Sequence, residues 1–384
     1  MESVFLIAGE ASGDALGASL MKGLKAQGVS SDAIAGIGGG LMCSEGMDSL
    51  IPMEELCVMG IWEILWQIPR LIRLIHGVVE EIEQRQPDMV VTIDLPDFNF
   101  RVAEKLKKRG IYKGKIVHYV APTVWAWRPG RAEKVAGYLD GMMCLFPFEP
   151  AYFEKHGLKA AYVGHPLIEF DRSNADGGKF RADRGIGADD LCVGLMLGSR
   201  AREVDVHAPV FLQTLDALEE QYPGLNVIIP TLPALEYDVS KHLDGRQLSV
   251  HIVTDQGHKY DAFDACDIAL AVSGTVGLEL GYLGVPHITG YKAHALTAAI
   301  LKLVVRVRYA HLVNILLDRQ VVPEFLQGKC NVSRLTRGFM RLLRCPEDVQ
   351  AQKMGFVELQ QKLTLEEGKP PSHKAASFVL NIAK

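Results

Sequence analysis

The sequence predicts an α/β protein in which two parallel sheets form one after the other along the chain. Apolar runs of strand length, such as Ser3–Ala8 and Leu191–Leu197, are each followed by a turn of small residues and then by a helical pattern. This alternation occurs on both sides of Ser173–Asp190, a polar stretch rich in Gly, Asp and Arg that indicates a linker. We therefore predict two Rossmann-like domains whose parallel sheets face a cleft, in residues 1–170 and 188–345. C-terminal helices in residues 346–384 are expected to pack back on the first domain or on a partner chain.

The composition is that of a globular protein, because 48% of the 384 residues are hydrophobic and 23% are charged. The formal net charge of −5 gives no indication of a nucleic-acid partner. Seven scattered cysteines, without a CxxC pair or zinc-ligand spacing, predict a reducing cytosol and no metal site. Val4–Ala8 is too short for a signal peptide, and no apolar run is long enough to span a bilayer. We therefore expect a cytoplasmic protein.

The loop after the first strand, Gly9–Asp14, carries the hydroxyl of Ser12 and the carboxylates of Glu10 and Asp14. Carboxylates suit hydrogen bonds to sugar hydroxyls or a catalytic role better than they suit phosphate, although Asp14 could instead cap the following helix. The first strand is not followed by GxGxxG, and no acidic residue stands where a dinucleotide ribose would need it. A nicotinamide or flavin is therefore unexpected, and we predict no cofactor.

The segment Leu56–Val79 is strongly apolar, with Trp62 and Trp66 early in it and Arg70 and Arg73 later. Tryptophan beside aliphatic residues, with arginine at the rim, is typical of an interfacial membrane segment or of a pocket for acyl chains. A buried pair of helices around Pro69 explains the composition equally well.

Asp97 is the candidate general base, because it follows the β-branched strand Met89–Asp94 at the end where α/β sheets bind ligands. The alternative is that Asp97 caps the next helix. The loop after Lys115–Val120 contains two tryptophans and two arginines, Trp125, Trp127, Arg128 and Arg131, a combination that suits sugars and phosphates.

In the second half, two strand–turn–helix units suggest a diphosphate site. Arg200 follows Gly198 at the start of a helix, where a guanidinium can clamp a diphosphate. Ser273, Gly274 and Thr275 are small residues ahead of another helix, and Glu279 lies one turn further, within reach of a ribose hydroxyl. An ordinary βα turn is the alternative for this motif taken alone.

Two further patterns bear on the chemistry. Ala295–Tyr309 predicts a basic amphipathic helix, which suits an anionic membrane or simply the protein surface. The chain contains no Asp-x-Asp, which disfavours a metal-dependent GT-A glycosyltransferase and fits the GT-B architecture. In that case a helix dipole and Arg200 would stabilise a leaving diphosphate in place of Mg²⁺.

Taken together, the motifs resemble the signatures of the lipid-A-disaccharide synthase family. The resemblance covers about residues 3 to 330 in order. Its motifs are Gly9–Asp14, Met59–Glu63, Ile93–Asn99, Val124–Arg128 with Arg131, Val163–Pro166, Gly198–Arg200 with Glu203, Ser273–Thr275 with Glu279, and Asn314 with Arg319–Gln327.

Four residues, at three places in the chain, depart from the family pattern. Leu197 and Val313 stand where the family usually has proline, and Leu317-Asp318 stand in place of an Ala-Gly pair. The polar residues of the motifs are retained, so these changes bear on loop conformation.

The resemblance implies the reaction. The donor would be UDP-2,3-diacylglucosamine and the acceptor 2,3-diacylglucosamine 1-phosphate (lipid X). The acceptor 6-hydroxyl would attack with inversion to give a β-1,6-linked disaccharide 1-phosphate and UDP. It also implies a peripheral protein on the cytoplasmic face of the inner membrane, a possible homodimer, and an acyl or membrane role for Leu56–Val79.

Residue roles follow by the same resemblance. Asp97 would be the base. The diphosphate would be held by Arg200, Ser273, Gly274 and Thr275, and the ribose by Glu279. Glu10, Ser12 and Asn314 would position sugar or phosphate groups.

Two other functions remain open from the sequence. A UDP-sugar 2-epimerase uses a similar fold and nucleotide site but has no need of an interfacial apolar segment. A non-catalytic nucleotide-sugar-binding module at the membrane would bind UDP without turnover.

Overall fold

We analysed a computed structural model, which describes residues 2–56, 61–293, 307–365 and 368–384, without the side chains of residues 61–68. The chain forms two compact units, one of Met1–Glu169 with Leu363–Lys384 and one of Phe170–Lys362. The predicted amphipathic helix Ala295–Tyr309 falls almost entirely on residues outside this description.

The first unit contains a sheet of six parallel strands in the order β2-β1-β3-β4-β5-β6. In chain order the strands are β1 (Val4–Ala8), β2 (Ile34–Ile37), β3 (Met89–Ile93), β4 (Lys115–Tyr119), β5 (Gly141–Cys144) and β6 (Lys159–Tyr162). The direction of winding reverses between β1 and β3, which makes their carboxyl ends the switch point where such sheets bind ligands.

Helices cover both faces of this sheet, and the central strands are therefore continuously apolar in sequence. In β1, Phe5 and Ile7 pack into one core cluster while Val4, Leu6 and Ala8 pack into the other. The helices are α1 (Ala11–Ala26), α2 (Gly40–Ser44), α3 (Ile61–Arg85), α4 (Pro96–Arg109), α5 (Gly130–Ala136) and α6 (Ala151–Glu154).

The second unit repeats this plan in the order β12-β11-β10-β7-β8-β9, again with every pair parallel. The strands are β7 (Cys192–Met196), β8 (Asn226–Pro230), β9 (Ser249–Val253), β10 (Ile268–Ala271), β11 (His287–Tyr291) and β12 (Glu324–Leu326). This is the strand order of a dinucleotide-binding Rossmann sheet, and its switch point lies between β7 and β10. The predicted α/β class with two Rossmann-like parallel sheets is confirmed.

The first helix of the second unit lies within the predicted linker, Ser173–Asp190. The helices of this unit are α7 (Gly177–Asp183), α8 (Ala201–Glu219), α9 (Glu236–Ser240), α10 (Lys259–Asp264), α11 (Thr275–Leu283), α12 (Leu312–Leu317), α13 (Val332–Arg344) and α14 (Pro346–Leu363). Arg181 in α7 donates to the Ala265 carbonyl at 2.7 and 2.9 Å, which ties that segment to the unit.

The last helix, α15 (Pro371–Ala383), returns to the first unit. It packs on α1 so closely that a Cβ on Gly23 would lie 2.2 Å from the Ser372 carbonyl oxygen. Tyr162 donates its hydroxyl proton to the Leu363 carbonyl at 2.6 Å. Residues 363–384 therefore belong to the core of the first unit, whereas residues 346–362 belong to the second.

The apolar segment near residue 60 forms α3, a single helix that contains Pro69. In its later turns Ile75, Val79 and Ile82 are buried in the core, whereas Ile72 remains 46% exposed. Among the described helices, none is long and apolar enough to cross a bilayer.

Candidate active site

Apart from Asn314, the predicted site residues lie at the carboxyl edges of the two sheets. In the second unit, a cavity of about 300 Å³ opens where β7, β8, β9 and β10 end. Its lining includes the predicted Arg200, Ser273, Gly274, Thr275 and Glu279. The fold thus brings these five residues, which the sequence separates by up to 79 positions, around one space.

The turn after β7 is shaped by Gly198 and Glu203. Gly198 has a φ of 116°, which favours glycine, and a Cβ there would lie 2.6 Å from the Glu203 carboxylate. That carboxylate accepts the Ser199 backbone N–H at 3.0 Å and lies 3.5 Å from the Arg200 guanidinium. The Arg200 side chain is otherwise 76% exposed, so the turn holds a cation at the cavity mouth that is available to a ligand.

The turn after β10 leads into the N-terminus of α11. The Ser273 hydroxyl donates to the Ala310 carbonyl at 3.0 Å, so this side chain braces the turn. Gly274 is the N-cap residue, and a Cβ on it would meet nothing within 4 Å. The space beside Gly274 therefore lets an anion approach the first N–H groups of the helix, where the helix dipole favours negative charge.

Glu279 already has partners inside the cavity. Its Oε1 lies 2.7 Å from the Lys259 ammonium and accepts the Tyr260 hydroxyl at 3.4 Å. Lys259 also lines the cavity, so a second cation lies near the predicted diphosphate position. A ribose hydroxyl bound to Glu279 would share that carboxylate with Lys259.

Asn314 is not among the residues that line the cavity, and it is fully buried. Its amide oxygen accepts the N–H groups of Val321 and Val322, and its NH₂ donates to the Val322 carbonyl and to Glu324. Its side chain is therefore fully engaged with the chain that enters β12. A direct contact with substrate would require one of these bonds to open.

Glu324 links Asn314 to the Ser273 turn. Its carboxylate accepts the N–H groups of Ala310 and His311 at 3.0 Å as well as the Asn314 amide at 2.8 Å. Since Ala310 is also the acceptor for Ser273, a continuous set of hydrogen bonds connects Asn314 with the predicted diphosphate turn. This places Asn314 as a positioning residue for that turn.

At the edge of the first sheet, the loops after β1 and β3 lie side by side. The Ser12 hydroxyl donates to Asp94 at 3.3 Å, and Glu10 is the N-cap residue of α1. Asp14 is buried and has a different role, because it accepts the N–H groups of Gly39, Leu41 and Met42 at 2.8 to 3.0 Å. It caps α2 rather than its own helix.

The turn into α4 is strained. Asp94 and Leu95 have φ values of 51° and 43°, a region that costs L-residues free energy. The buried Asn99 stabilises this turn by donating to the carbonyls of Ile93 and Asp94 at 3.1 and 2.8 Å. Such strain is characteristic of functional sites, since the surrounding fold must hold it in place.

Asp97 follows this turn on the first turn of α4, and its side chain is 87% exposed. Its Oδ1 lies 2.9 Å from the Arg131 guanidinium, and among the described residues its Oδ2 has no hydrogen-bond donor. The predicted base and the predicted sugar-and-phosphate loop are therefore in direct contact. Asp97 is oriented by one ion pair and keeps an oxygen open to solvent.

A buried carboxyl group anchors the tryptophan loop. Glu149 accepts the Trp125 indole N–H at 3.1 Å and the N–H groups of Leu145 and Phe146 at 3.1 and 3.0 Å. Burial raises the pKa of the Glu149 carboxyl to about 7, although these three donors act in the opposite direction. Trp127 is exposed, with the Arg128 guanidinium 4.2 Å from its ring centre.

A separate apolar cavity of about 610 Å³ lies between α3 and the β1–β2 side of the first sheet. Phe5, Ile37 and Leu74 line it, with Arg70 and Arg73 among the charged residues of its lining. Residues of Leu56–Val79, for which the sequence leaves an acyl pocket open, therefore line this cavity together with charged residues.

Sequence reasoning missed several residues of these sites, among them Lys259, Thr231 and Gln256 in the second unit and Glu149 in the first. Each follows the carboxyl end of a strand. The same rule that singled out Asp97 and Arg200 could therefore have found them.

Solved structures with a similar fold include a UDP-GlcNAc 2-epimerase and a MurG protein. A UDP-GlcNAc 2-epimerase from Neisseria meningitidis bound to UDP-GlcNAc superposes with a TM-score of 0.63, at 11% identity, over 99% of each chain. MurG from Acinetobacter baumannii superposes with a TM-score of 0.59, at 13% identity, over 99% of this chain and 100% of that one. At these identities the likeness establishes the shared fold.

Sequence similarity is more specific. The family model for lipid-A-disaccharide synthetase matches residues 4–378. A lipid-A-disaccharide synthase from Rhodospirillum centenum is 43% identical over 379 residues, which cover 99% of this chain and 94% of that protein. Of the motif residues, Gly198–Arg200, Glu203, Ser273–Thr275 and Glu279 line one cavity in the second unit, and Glu10, Ser12 and Asp97 follow strand ends of the first sheet. The chain belongs to the lipid-A-disaccharide synthetase family.

Proposed function

We propose that the protein transfers 2,3-diacylglucosamine from UDP-2,3-diacylglucosamine to the 6-hydroxyl of lipid X. The products are a β-1,6-linked disaccharide 1-phosphate and UDP. Family membership supports this reaction, and so does the enclosure of five predicted donor-binding residues around one cavity at the switch point of the second sheet.

In this proposal the cavity of the second unit binds UDP. The diphosphate lies at the N-terminus of α11 beside Gly274, and Arg200 and Lys259 supply positive charge at the same cavity. Glu279 binds the ribose. As the bond between the anomeric carbon and the diphosphate breaks, the N-terminus of α11, Arg200 and Lys259 stabilise the negative charge that develops on UDP. In this proposal no metal ion takes part.

The first unit supplies the base. The Asp97 carboxylate takes the proton of the acceptor 6-hydroxyl as its oxygen bonds to the anomeric carbon, and attack opposite the leaving UDP inverts that carbon. Arg131 holds Asp97 through Oδ1, which leaves Oδ2 for the proton. Glu10 and Ser12, on the neighbouring loop, orient the sugar or phosphate of the acceptor.

Both substrates carry acyl chains, which gives the apolar features of the first unit a role. We assign acyl-chain or membrane contact to α3 and the cavity beside it, on the cytoplasmic face of the inner membrane. Replacing Ile61, Trp62, Leu65 and Trp66 with Ser is expected to lower membrane association without unfolding the protein. A collapse in thermal stability would instead identify these residues as core.

A homodimer is part of the proposal, and light scattering of the purified protein tests it.

The decisive experiment measures UDP release from UDP-2,3-diacylglucosamine in detergent, with and without lipid X and with EDTA. Release that depends on lipid X and resists EDTA is the expected result. Release without lipid X would favour an epimerase-like or hydrolytic activity. UDP binding without any release would favour the non-catalytic binding module.

A further inference from the structure

The second unit contains another cavity, of about 710 Å³, at the edge of the sheet opposite the nucleotide cavity. It is lined by Arg319–Val321 and Pro323, which precede β12, and by side chains of α13 and α14. Gln352 lines it as well, and its side chain bonds to both the N–H and the carbonyl of His287, the first residue of β11. The cavity therefore lies at the amino ends of β11 and β12, and none of the residues predicted to bind substrate lines it.

Four arginines dominate this cavity. Arg334, Arg337 and Arg341 are spaced three and four residues apart along α13, so they share one face of the helix, and Arg319 joins them from the segment before β12. The opposite face of α13, with Leu335 and Phe339, is fully buried in the core. The helix is thus fixed, and it presents its basic face to the cavity.

Only half of this positive charge is neutralised. Arg341 forms an ion pair with Asp348, and Arg319 lies 2.7 Å from Glu358. Arg334 and Arg337 have no carboxylate within ion-pair distance among the residues that the structure describes. Like charges three residues apart on a helix repel, so an anion bound between these two guanidinium groups would relieve a repulsion that is present without it.

We infer that this cavity is a binding site for a phosphate-bearing ligand. Two unpaired guanidinium groups match the charge of a phosphate monoester or diphosphate, and their planar forks suit its oxygens better than a point charge would. Pro323 and Phe325 line the cavity too and offer an apolar surface to the organic part of the ligand. The phosphate can belong to a soluble phosphate ester or to a phospholipid headgroup.

The test is a calorimetric titration of the full-length protein with inorganic pyrophosphate. R334Q/R337Q is compared with wild type and with R344Q. Arg344 lies on the same helix, but its guanidinium bonds to Gln221 rather than lining the cavity, so R344Q controls for lost helix charge. We expect R334Q/R337Q to bind one pyrophosphate fewer than wild type and R344Q, or to bind it at least tenfold more weakly. R334K/R337K, which keeps the charge without the forks, should be intermediate.

UDP binding at the nucleotide cavity should be the same in all these variants, and so should thermal stability without pyrophosphate. Unchanged thermal stability shows that a variant is folded, and unchanged UDP binding shows that the nucleotide cavity is intact. A loss of pyrophosphate binding can then be assigned to the arginine cavity alone. A second arm uses vesicles of phosphatidylcholine with and without phosphatidic acid. Vesicle binding that R334Q/R337Q abolishes and R344Q retains assigns the phosphate to a lipid headgroup, and pyrophosphate binding alone assigns it to a soluble ligand. If R334Q/R337Q binds both probes as wild type does, the inference is wrong.

Discussion

The two sheets are both parallel, but their carboxyl edges differ in backbone conformation. Around the first edge the backbone is strained at residues that carry side chains: Asp94, Leu95, Val120 and Arg128 all have positive φ. Of the described residues that line the cavity at the second edge, only Gly198 has a positive φ, where glycine adopts it at little cost.

The difference follows from what each edge presents. The second edge offers backbone N–H groups and open space beside Gly274, so it requires small residues and a regular helix start. The first edge offers side chains at fixed angles, and its strained turn at Asp94 and Leu95 is held by the buried Asn99. In the proposed reaction, the first edge acts on the reacting hydroxyl and the second holds the diphosphate.

The largest effect is expected for D97N. If the first edge performs the proton transfer, this variant should lose roughly 100- to 10,000-fold in kcat while UDP binding at the second unit stays unchanged. E104Q is the matched control, since Glu104 lies two turns further along α4 and pairs with Lys108 and Lys134. Turnover by D97N close to that of wild type would remove the distinction between the two edges.

The buried carboxyl at the first edge predicts a pH dependence of stability. Because the folded pKa of Glu149 is raised to about 7 from the ordinary 4.5, the folded protein holds a proton that the unfolded chain releases between these values. The Glu149 contribution to stability should therefore fall as pH rises from 4.5 to 7, by at most about 3 kcal/mol, whereas buried histidines with lowered pKa, such as His118 and His165, contribute in the opposite direction. Because E149Q removes only the falling contribution, its stability relative to wild type should rise with pH across this range when both proteins are followed by thermal unfolding. E154Q, at an exposed position nearby, should keep the wild-type slope.

R200Q tests the second edge. Loss of the guanidinium should weaken UDP binding and lower kcat/KM by about 100-fold, because the negative charge on the leaving diphosphate is then stabilised by one cationic hydrogen-bond donor fewer. R202Q removes an exposed arginine two residues further along the same helix and should behave as wild type. Equal losses in the two variants would mean that general charge, rather than the Arg200 position, supports binding.

Two glycines of the α11 motif should respond in opposite ways. Gly274 has an extended backbone, and a Cβ on it would meet no atom within 4 Å, so G274A should fold normally. The added methyl group would occupy the space that the diphosphate needs, so UDP should bind about tenfold more weakly, a loss of about 1.4 kcal/mol. G277A would place a Cβ 2.2 Å from Nε2 of the buried His311, so it should lower the free energy of unfolding by about 1–3 kcal/mol. Calorimetry and thermal unfolding measure both. Normal UDP affinity in G274A would argue against backbone recognition at this edge.

The smallest effect is expected at Asp318, which stands where the family usually has glycine. Its φ of 49° is left-handed, so D318G should relieve strain and leave stability unchanged or raised by less than about 1 kcal/mol. D244G, at an exposed position without positive φ, should instead lower stability by about 0.5–1 kcal/mol. Chemical denaturation of the two variants compares them directly. Destabilisation of both to the same extent would show that φ at residue 318 carries no cost.

Much of the site was predictable from the sequence because its residues follow strands. Arg200, the Ser273–Thr275 turn and Asp97 were found from apolar runs that end in small or polar residues, and parallel strands bring such ends to one edge. Asp14 and Asn314 show the limit of that reasoning. The chain position of Asp14 and the family resemblance for Asn314 suggested contacts with sugar or phosphate; what the sequence does not show is that Asp14 caps α2 and that Asn314 bonds to the chain that enters β12.

The sequence by itself determined the α/β class, the two series of strands and the edge at which the site residues would gather. These features depend on local periodicity and on turn residues, that is, on residues close together in the sequence. The tertiary structure alone decided the two strand orders, the pairing of Asp97 with Arg131 and of Glu279 with Lys259, and the arginine face of α13 that lines a second cavity. Those features join segments that are distant in sequence, and their geometry exists only once the sheets have formed and packed.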